Sequence, residues 1–247
     1  MRIPRVYLDK TLNSGSTVPL TAEAHRHVVN VLRLREKDKL IVFNTQGREF
    51  SAYIESIEKK QTLIAVEQQQ QNHTTSPLCI ELGLSLIKND KLDFAIQKSV
   101  ELGVDSITPL AANRSTVKLD SKRELKRHSH WQGIIQSACE QSGRNILPRL
   151  NKLQNISSWL KSSDTPGIVF EPTATTGLDK LIRHERLRII IGPEGGFSKQ
   201  ELTDIAQHRF EQVRLGPRVL RAETAAISAI SALQLLWGDL GSGHYSA

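Results

Sequence analysis

The chain has 247 residues, 38% of them hydrophobic, which is enough for one large or two modest domains around a packed core. Lys and Arg number 33 against 26 Asp and Glu, and the net charge of +7 calls for a polyanionic partner, of which nucleic acid is the simplest. Cys79 and Cys139 are too few for a disulfide framework or a metal cluster; no signal-peptide core opens the chain and no run is long enough for a bilayer, so a cytoplasmic protein with neither metal nor membrane partner is expected.

In chain order, the first 68 or so residues read as a small β-rich module. Thr21 is placed to cap a helix running from His25 to Val31, and strands are expected over 39–43, 48–54 and 62–66, with Asn44-Thr45-Gln46-Gly47 as a turn, which suggests a barrel. Residues 67–77 are polar and aperiodic, as linkers are, so a domain boundary is expected there, dividing 1–72 from 73–247. Arg5, His25, His27, Arg33 and Arg35 suit either an RNA face or a solvated one.

From Leu78 the pattern becomes α/β. Residues 79–87 read as a strand, Asp90 as the cap of a helix carrying Leu92, Ile96 and Val100 on one stripe, Gly103 as its stop, and 106–110 as the next strand. Strand, helix, strand implies a right-handed crossover and a parallel pair. Asn113-Arg114-Ser115 follows that strand end, where a functional loop belongs, and Lys118, Lys122, Arg123, Lys126 and Arg127 come next. On a helix the last four make a cationic surface suited to phosphates, while Leu125, Ile135 and Cys139 pack inward. A solvated charge run is the plainer alternative; the net charge favours RNA for Arg114, Lys122, Arg123 and Lys126. The helix passes Trp131 and stops at Gly143, and 167–171 supplies a strand whose end, at Phe170, is placed to wall a pocket.

The chain is organised around 187–226. Arg188-Ile189-Ile190-Ile191 is a short apolar run of the kind buried in a parallel sheet, and it stops at Gly192-Pro193-Glu194-Gly195-Gly196. Ser198 and Glu201 have capping-box spacing, so a helix starts there. One unit later Val213-Arg214-Leu215 leads into Gly216-Pro217-Arg218-Val219-Leu220-Arg221, and Ala222-Glu223-Thr224-Ala225-Ala226 opens another helix. Ligands of open α/β sheets sit beyond the carboxyl ends of strands, so two such loops would converge on a pocket. Neither loop is a dinucleotide fingerprint or a P-loop. The helix from Glu223 to Trp237 is apolar nearly all round, which requires burial in the core, against another subunit, or both, with Ile230 and Leu233 at its centre.

Residues 191–198 and 215–225 resemble the two C-terminal motifs of the bacterial ribosomal RNA small subunit methyltransferase E family, part of the SPOUT superfamily of knotted methyltransferases. Arg5-Val6-Tyr7 and Val31-Leu32-Arg33 are similar to its N-terminal PUA-like RNA-binding domain, and the stretch around Trp131 also resembles it, except that His130 stands where the family usually has Arg. The resemblance implies an α/β fold with a SPOUT-type parallel sheet and C-terminal trefoil knot behind a PUA-like β-barrel. It implies a homodimer with a shared active site, and S-adenosylmethionine held at Phe170, Ile191, Gly192, Glu194, Gly195, Leu215, Gly216, Leu220, Thr224 and Ala225. It implies methylation of a uridine N3 in 16S small-subunit ribosomal RNA, within the assembled small ribosomal subunit, and it tilts Arg5, His27 and Arg33 toward RNA.

The chemistry constrains the residues independently. A sulfonium methyl is already electrophilic, so the enzyme chiefly aligns donor and acceptor. Uridine N3 carries a proton, which a base must remove unless a cation stabilises the imide anion. Arg221 and Glu223 stand where such a pair is needed, Arg221 for the anion and Glu223 for the proton or for holding Arg221; a structural ion pair at a helix start is the alternative. N3 is masked in a Watson–Crick pair, so the target base must be unpaired or flipped. Two rival functions fit the same residues: a non-catalytic RNA-binding or ribosome-assembly protein, and a different α/β transferase using a nucleotide cofactor.

Overall fold

A computed structural model describes residues 3–241. The chain divides into two compact units, one comprising the residues up to 75 together with 136–147, the other 76–135 together with the chain from 148 onward.

The first unit contains β1 (Arg5–Leu8), β2 (Thr17–Pro19), α1 (Ala22–Arg26) running into a π-helical turn (His27–Val31), β3 (Lys39–Asn44), β4 (Glu49–Ile57) and β5 (Thr62–Gln70). Thr21 caps α1 as its side chain accepts from Ala24 N. The sheet order is β1-β3-β4-β5-β2, with β1 parallel to β3 and the other pairs antiparallel. Period-two alternation sends Val6 and Leu8, Val18, Leu40 and Val42, Phe50 and Ile54, and Ile64 and Val66 into one core that Val28 completes. The polar stretch expected as linker is partly strand: Glu49 pairs with Gln70 and Phe50 with Gln69, while residues 67–70 keep their side chains exposed. A backbone ladder needs no apolar side chain once the neighbouring strand supplies its hydrogen bonds. Within this unit Arg5 is buried, 2.9 Å from the Glu49 carboxylate, and donates to Arg144 O at 3.3 Å.

The second unit contains β6 (Cys79–Ser85), α2 (Asn89–Glu101), β7 (Ser106–Ala111), α3 (Ser121–Ser142, whose last residues belong to the first unit), β8 (Arg149–Leu150), β9 (Gln154–Asn155), α4 (Ile156–Leu160), β10 (Gly167–Phe170), β11 (Arg186–Ile191), α5 (Lys199–Gln207), β12 (Phe210–Val213) and α6 (Ala222–Trp237). Its sheet runs β12-β10-β11-β6-β7-β8, with β9 also on β7, and every pair is parallel. β6 and β11 are buried on both faces over most of their length, which is why each reads as a largely apolar run. Gly103 and Gly143 end α2 and α3 at φ +90° and +93°, a conformation that favours glycine.

Two local expectations are corrected, the cap of α2 and the inward place of Leu125. The cap of α2 is Lys88, without a side-chain bond, and Asp90 lies inside the first turn. Leu125 is 74% exposed on α3, whereas Ile135 and Cys139 pack inward, because the buried residues of this helix begin only at Trp131 and Leu125 lies in the turns before it. On α6, Ala226, Ile230 and Leu233 are core, whereas Leu235 and Leu236 remain 60% and 50% exposed. Among the described residues no helix is long and apolar enough to cross a membrane, and no group of His, Cys, Asp and Glu could hold a metal ion.

Candidate active site

The first loop of the site is built by the apolar strand beneath it. β11 ends at Ile191, the chain turns through Gly192-Pro193-Glu194-Gly195-Gly196, and Gly196 N closes the turn on Pro193 O at 2.8 Å with Gly196 at φ +67°. A Cβ on Gly192 would stand 3.0 Å from the Phe197 ring, so glycine lets that ring fold beneath the loop. The capping box of α5 is formed as expected: Ser198 Oγ accepts from Glu201 N at 3.2 Å and Glu201 Oε2 accepts from Ser198 N at 2.7 Å.

The same box clamps a second segment. Glu201 Oε1 accepts from Asn113 N at 2.8 Å, Asn113 Nδ2 donates to Ser198 Oγ at 3.2 Å, and Arg114 Nη1 donates to Gly195 O at 3.1 Å. The exit loop of β7 is thereby fixed against the exit loop of β11. The remaining loop leaves β12, turns at Gly216 with φ +75°, and is held by Arg214 Nε donating to Gly216 O at 2.8 Å. A side chain at Gly216 would cost about 1–2 kcal/mol in backbone strain.

These loops enclose a cavity of about 460 Å³ at the carboxyl ends of β10 and β11, within the usual range for small-molecule sites. Phe170, Ile191, Gly192, Glu194, Gly195, Leu215, Gly216, Leu220 and Ala225 line it, as does Arg221. Thr224 does not; it is exposed on the first turn of α6. Glu223 is also off the wall, 7% exposed and 3.7 Å from Lys91 Nζ. The carboxylate faces α2, because α6 packs on α2, so the expected Arg221–Glu223 pair does not share the cavity.

Arg114, expected at an RNA surface, lines this cavity, and so do Arg218, Glu171, Pro172, Phe197 and Leu202, which sequence reasoning did not assign to it. Phe197 and Arg218 lay inside the quoted motifs, but nothing local showed which way they point. Three arginines and two glutamates, Glu171 and Glu194, therefore share one cavity with apolar residues. Lys88 N donates to Glu194 Oε1 at 3.5 Å. Neither cysteine offers a thiolate: burial pushes the Cys79 and Cys139 thiols up to about 11.

The other candidate RNA-facing residues are scattered. Arg5 is corrected: its guanidinium is committed to Glu49 and Arg144 O and lies 5.0 Å from the Phe43 ring centroid, which ties it into the fold of the first unit. His27 is half-buried in a shallow cleft with Pro4 and Leu32, and Arg33 is exposed at φ +55°. Lys122, Arg123 and Lys126 are exposed on α3.

Residues 74–234 match the family model described as "RNA methyltransferase domain", and residues 20–67 match "RNA methyltransferase PUA domain". A ribosomal RNA small subunit methyltransferase E from Buchnera aphidicola is 39% identical over 97% of this chain and 98% of its own length. The crystal structure of a ribosomal RNA small subunit methyltransferase E from Neisseria gonorrhoeae, bound to S-adenosyl methionine, superposes with a TM-score of 0.91 at 36% identity, covering 97% of this chain and 100% of the other. A putative methyltransferase from Legionella pneumophila, solved with bound S-adenosylmethionine, superposes at 0.94 with 37% identity and the same coverage. Full-length identity, both domain matches and the loop geometry agree, and the chain belongs to the ribosomal RNA small subunit methyltransferase E family.

Proposed function

We propose that the chain methylates N3 of a uridine in small-subunit ribosomal RNA, with S-adenosylmethionine as methyl donor and the assembled small subunit as substrate. The observation that carries this reading is the cavity itself, walled by the exit loops of β7, β11 and β12 and reached by Arg221. Its residues fit the cofactor: Phe170, Ile191, Leu215 and Leu220 offer apolar surface for an adenine, the backbone of 192–196 and 215–220 offers hydrogen bonds for ribose and amino acid, and Glu171 and Glu194 offer negative charge for a sulfonium. When bound, S-adenosylmethionine supplies an electrophilic methyl on sulfur. The chain's own task is to hold the base as its imide anion, the N3 proton passing to solvent as the base enters, then to exclude water and carry the anion's charge, for which we assign Arg221 among the three arginines of the wall. Glu223 acts at one remove, neutralising Lys91 and favouring the start of α6.

The same reading takes the segment from β10 to α6 as the trefoil knot of the superfamily, and the return of α6 from edge strand β12 to pack on β11 and α2 supports it. The decisive assay is labelled S-adenosylmethionine with, separately, assembled small subunits, deproteinised small-subunit RNA and transfer RNA, followed by nucleoside analysis. 3-Methyluridine is expected from small-subunit material only and most strongly from assembled subunits. Label in transfer RNA alone, or on ribose, would overturn the reading.

A homodimer belongs to the proposal, and the exposed Leu235 and Leu236 of α6 support it. Ile230 and Leu233 are fully buried within one chain, so a charge there tests folding. Leu235→Asp with Leu236→Asp is expected to convert a dimer to monomer with little loss of melting temperature. Sedimentation of a monomeric wild type at micromolar concentration would remove the dimer from the account.

A further inference from the structure

Beside the active-site cavity, the second unit carries another cavity of about 530 Å³, and cations dominate it. α3 contributes Arg123, Lys126, Arg127 and His130, whose spacing of three, four and seven places all four on one stripe. Lys118 faces them from the connection between β7 and α3, and Val117 and Leu119 supply an apolar patch between the charges. Carboxylates neutralise little of this: Asp120 lies 3.4 Å from Arg123 in an exposed pair, and Asp93 holds His130 at 2.7 Å. Among the described residues Lys118, Lys126 and Arg127 have no carboxylate partner within ion-pair distance.

The stripe is also held in place. Asp93 accepts from Trp131 Nε1 at 3.1 Å while its other oxygen holds His130, and Trp131 is 2% exposed, so the turn of α3 that carries His130 is anchored to α2. This cavity adjoins the first along the chain. Arg114 lines the first and Val117 the second, three residues apart and so at most about 11 Å. On the other side Lys88, bound to Glu194 of the first cavity, precedes Asn89 of the second.

We infer that this cleft seats the phosphodiester backbone of the nucleotides flanking the methylated base. The inference rests on the reading of the chain as an RNA methyltransferase and deepens it. A cationic rim binds phosphate oxygens without regard to sequence, while Val117 and Leu119 offer a dry surface to a ribose or base face. Such a seat fixes the strand roughly one or two nucleotides from the reacting base, which orients the acceptor without touching it. His130 extends the stripe by one turn beyond Arg127.

The test compares wild type with the double variant Lys126→Gln/Arg127→Gln and with the charge-matched control Lys59→Gln/Lys60→Gln on the exposed surface of the first unit. S-adenosylmethionine affinity is read by calorimetry, binding of deproteinised small-subunit RNA is read against salt, and KM and kcat are read for methyl transfer to assembled subunits. For the double variant we expect unchanged cofactor affinity, a KM raised at least tenfold, a smaller change in kcat, and a salt slope shallower by about 0.7 for each phosphate that is no longer neutralised. The control should leave the slope and KM at wild-type values. A double variant with wild-type slope and KM, in a preparation whose wild type is active, overturns the seat and leaves the function standing. A wild type that binds cofactor and RNA but transfers no methyl overturns the function and leaves the slope comparison readable. Loss of cofactor affinity in the double variant overturns the seat as a place for RNA.

Discussion

Arg221→Ala is expected to lower kcat for methyl transfer by a factor on the order of 10²–10³, the usual loss when one preorganised donor to a developing anion is removed. Arg221 is the N-cap of α6, at φ −65° and ψ 155°, and lines the active-site cavity with no carboxylate within ion-pair distance among the described residues. Its charge is therefore uncommitted, and the unpaired amides of the α6 first turn add partial positive charge nearby. Folding and cofactor affinity should change little, since the side chain is exposed and the variant keeps the same backbone. Two further readouts separate charge stabilisation from mere positioning. Arg221→Lys should recover part of the rate. Replacing the target uridine by 5-fluorouridine, whose N3–H is more acidic, should rescue Arg221→Ala more than it accelerates wild type. Glu223→Gln should lose far less, because that carboxylate meets Lys91 and not the cavity. If Glu223→Gln falls as far as Arg221→Ala, or if 5-fluorouridine rescues nothing, the assignment of the anion to Arg221 is wrong.

What the amino-acid order made legible is local. The Ser198–Glu201 box and the glycine stops at Gly103 and Gly143 follow from neighbours three or four residues away, and the structure forms each of them. The runs of β6 and β11 follow from burial on both sheet faces. Direction across the fold was not legible. Glu223 and Lys91 meet because α6 packs on α2, and Arg114 enters the cavity because Glu201 and Ser198 reach the β7 exit loop. Nothing in the spacing around any of these residues encodes its partner. The glutamines at 68–70 read as linker because their side chains stay wet, although β4 satisfies part of their backbone. Arg188 is the largest omission: within an apolar strand it looks like an interruption, and its partners lie in a helix far upstream.

Arg188 carries the prediction with the largest effect on stability. Its side chain is fully buried, yet Nη1 donates to Leu160 O at 3.1 Å and Ser163 O at 3.0 Å, while Nη2 donates to Trp159 O and to Ser162 Oγ. Trp159 and Leu160 end α4, whose last carbonyls have no helical partner, so a strand residue caps the helix. The guanidinium also lies 3.8 Å from the Trp159 ring centroid and 5.6 Å from that of Phe210. Gly167, paired with Arg188 on β10, has no room for a Cβ because the Phe210 ring occupies that space. Burial pushes the guanidinium's pKa down, but an arginine so placed stays protonated, and its contribution should be flat between about pH 5 and 9. Arg188→Ala takes the guanidinium donors from the carbonyls of Leu160 and Ser163, each costing about 1–3 kcal/mol, while Trp159 O keeps Ser162 N and Oγ, and it opens a void beside Trp159. A loss of at least about 4 kcal/mol follows, which is a large share of a usual folding free energy. At roughly 2–4 °C per kcal/mol the melting transition should fall by about 8 °C or more. Arg188→Met keeps the packing on Trp159 and loses the donors, so it should fall between. Arg186→Ala, two residues away and exposed beside Glu81, should cost no more than about 0.5 kcal/mol. Denaturant titration of the three variants decides it: Arg188→Ala within a degree or two of Arg186→Ala would mean that the α4 carbonyls find water or other donors, and that the buried guanidinium does not hold α4 to the sheet.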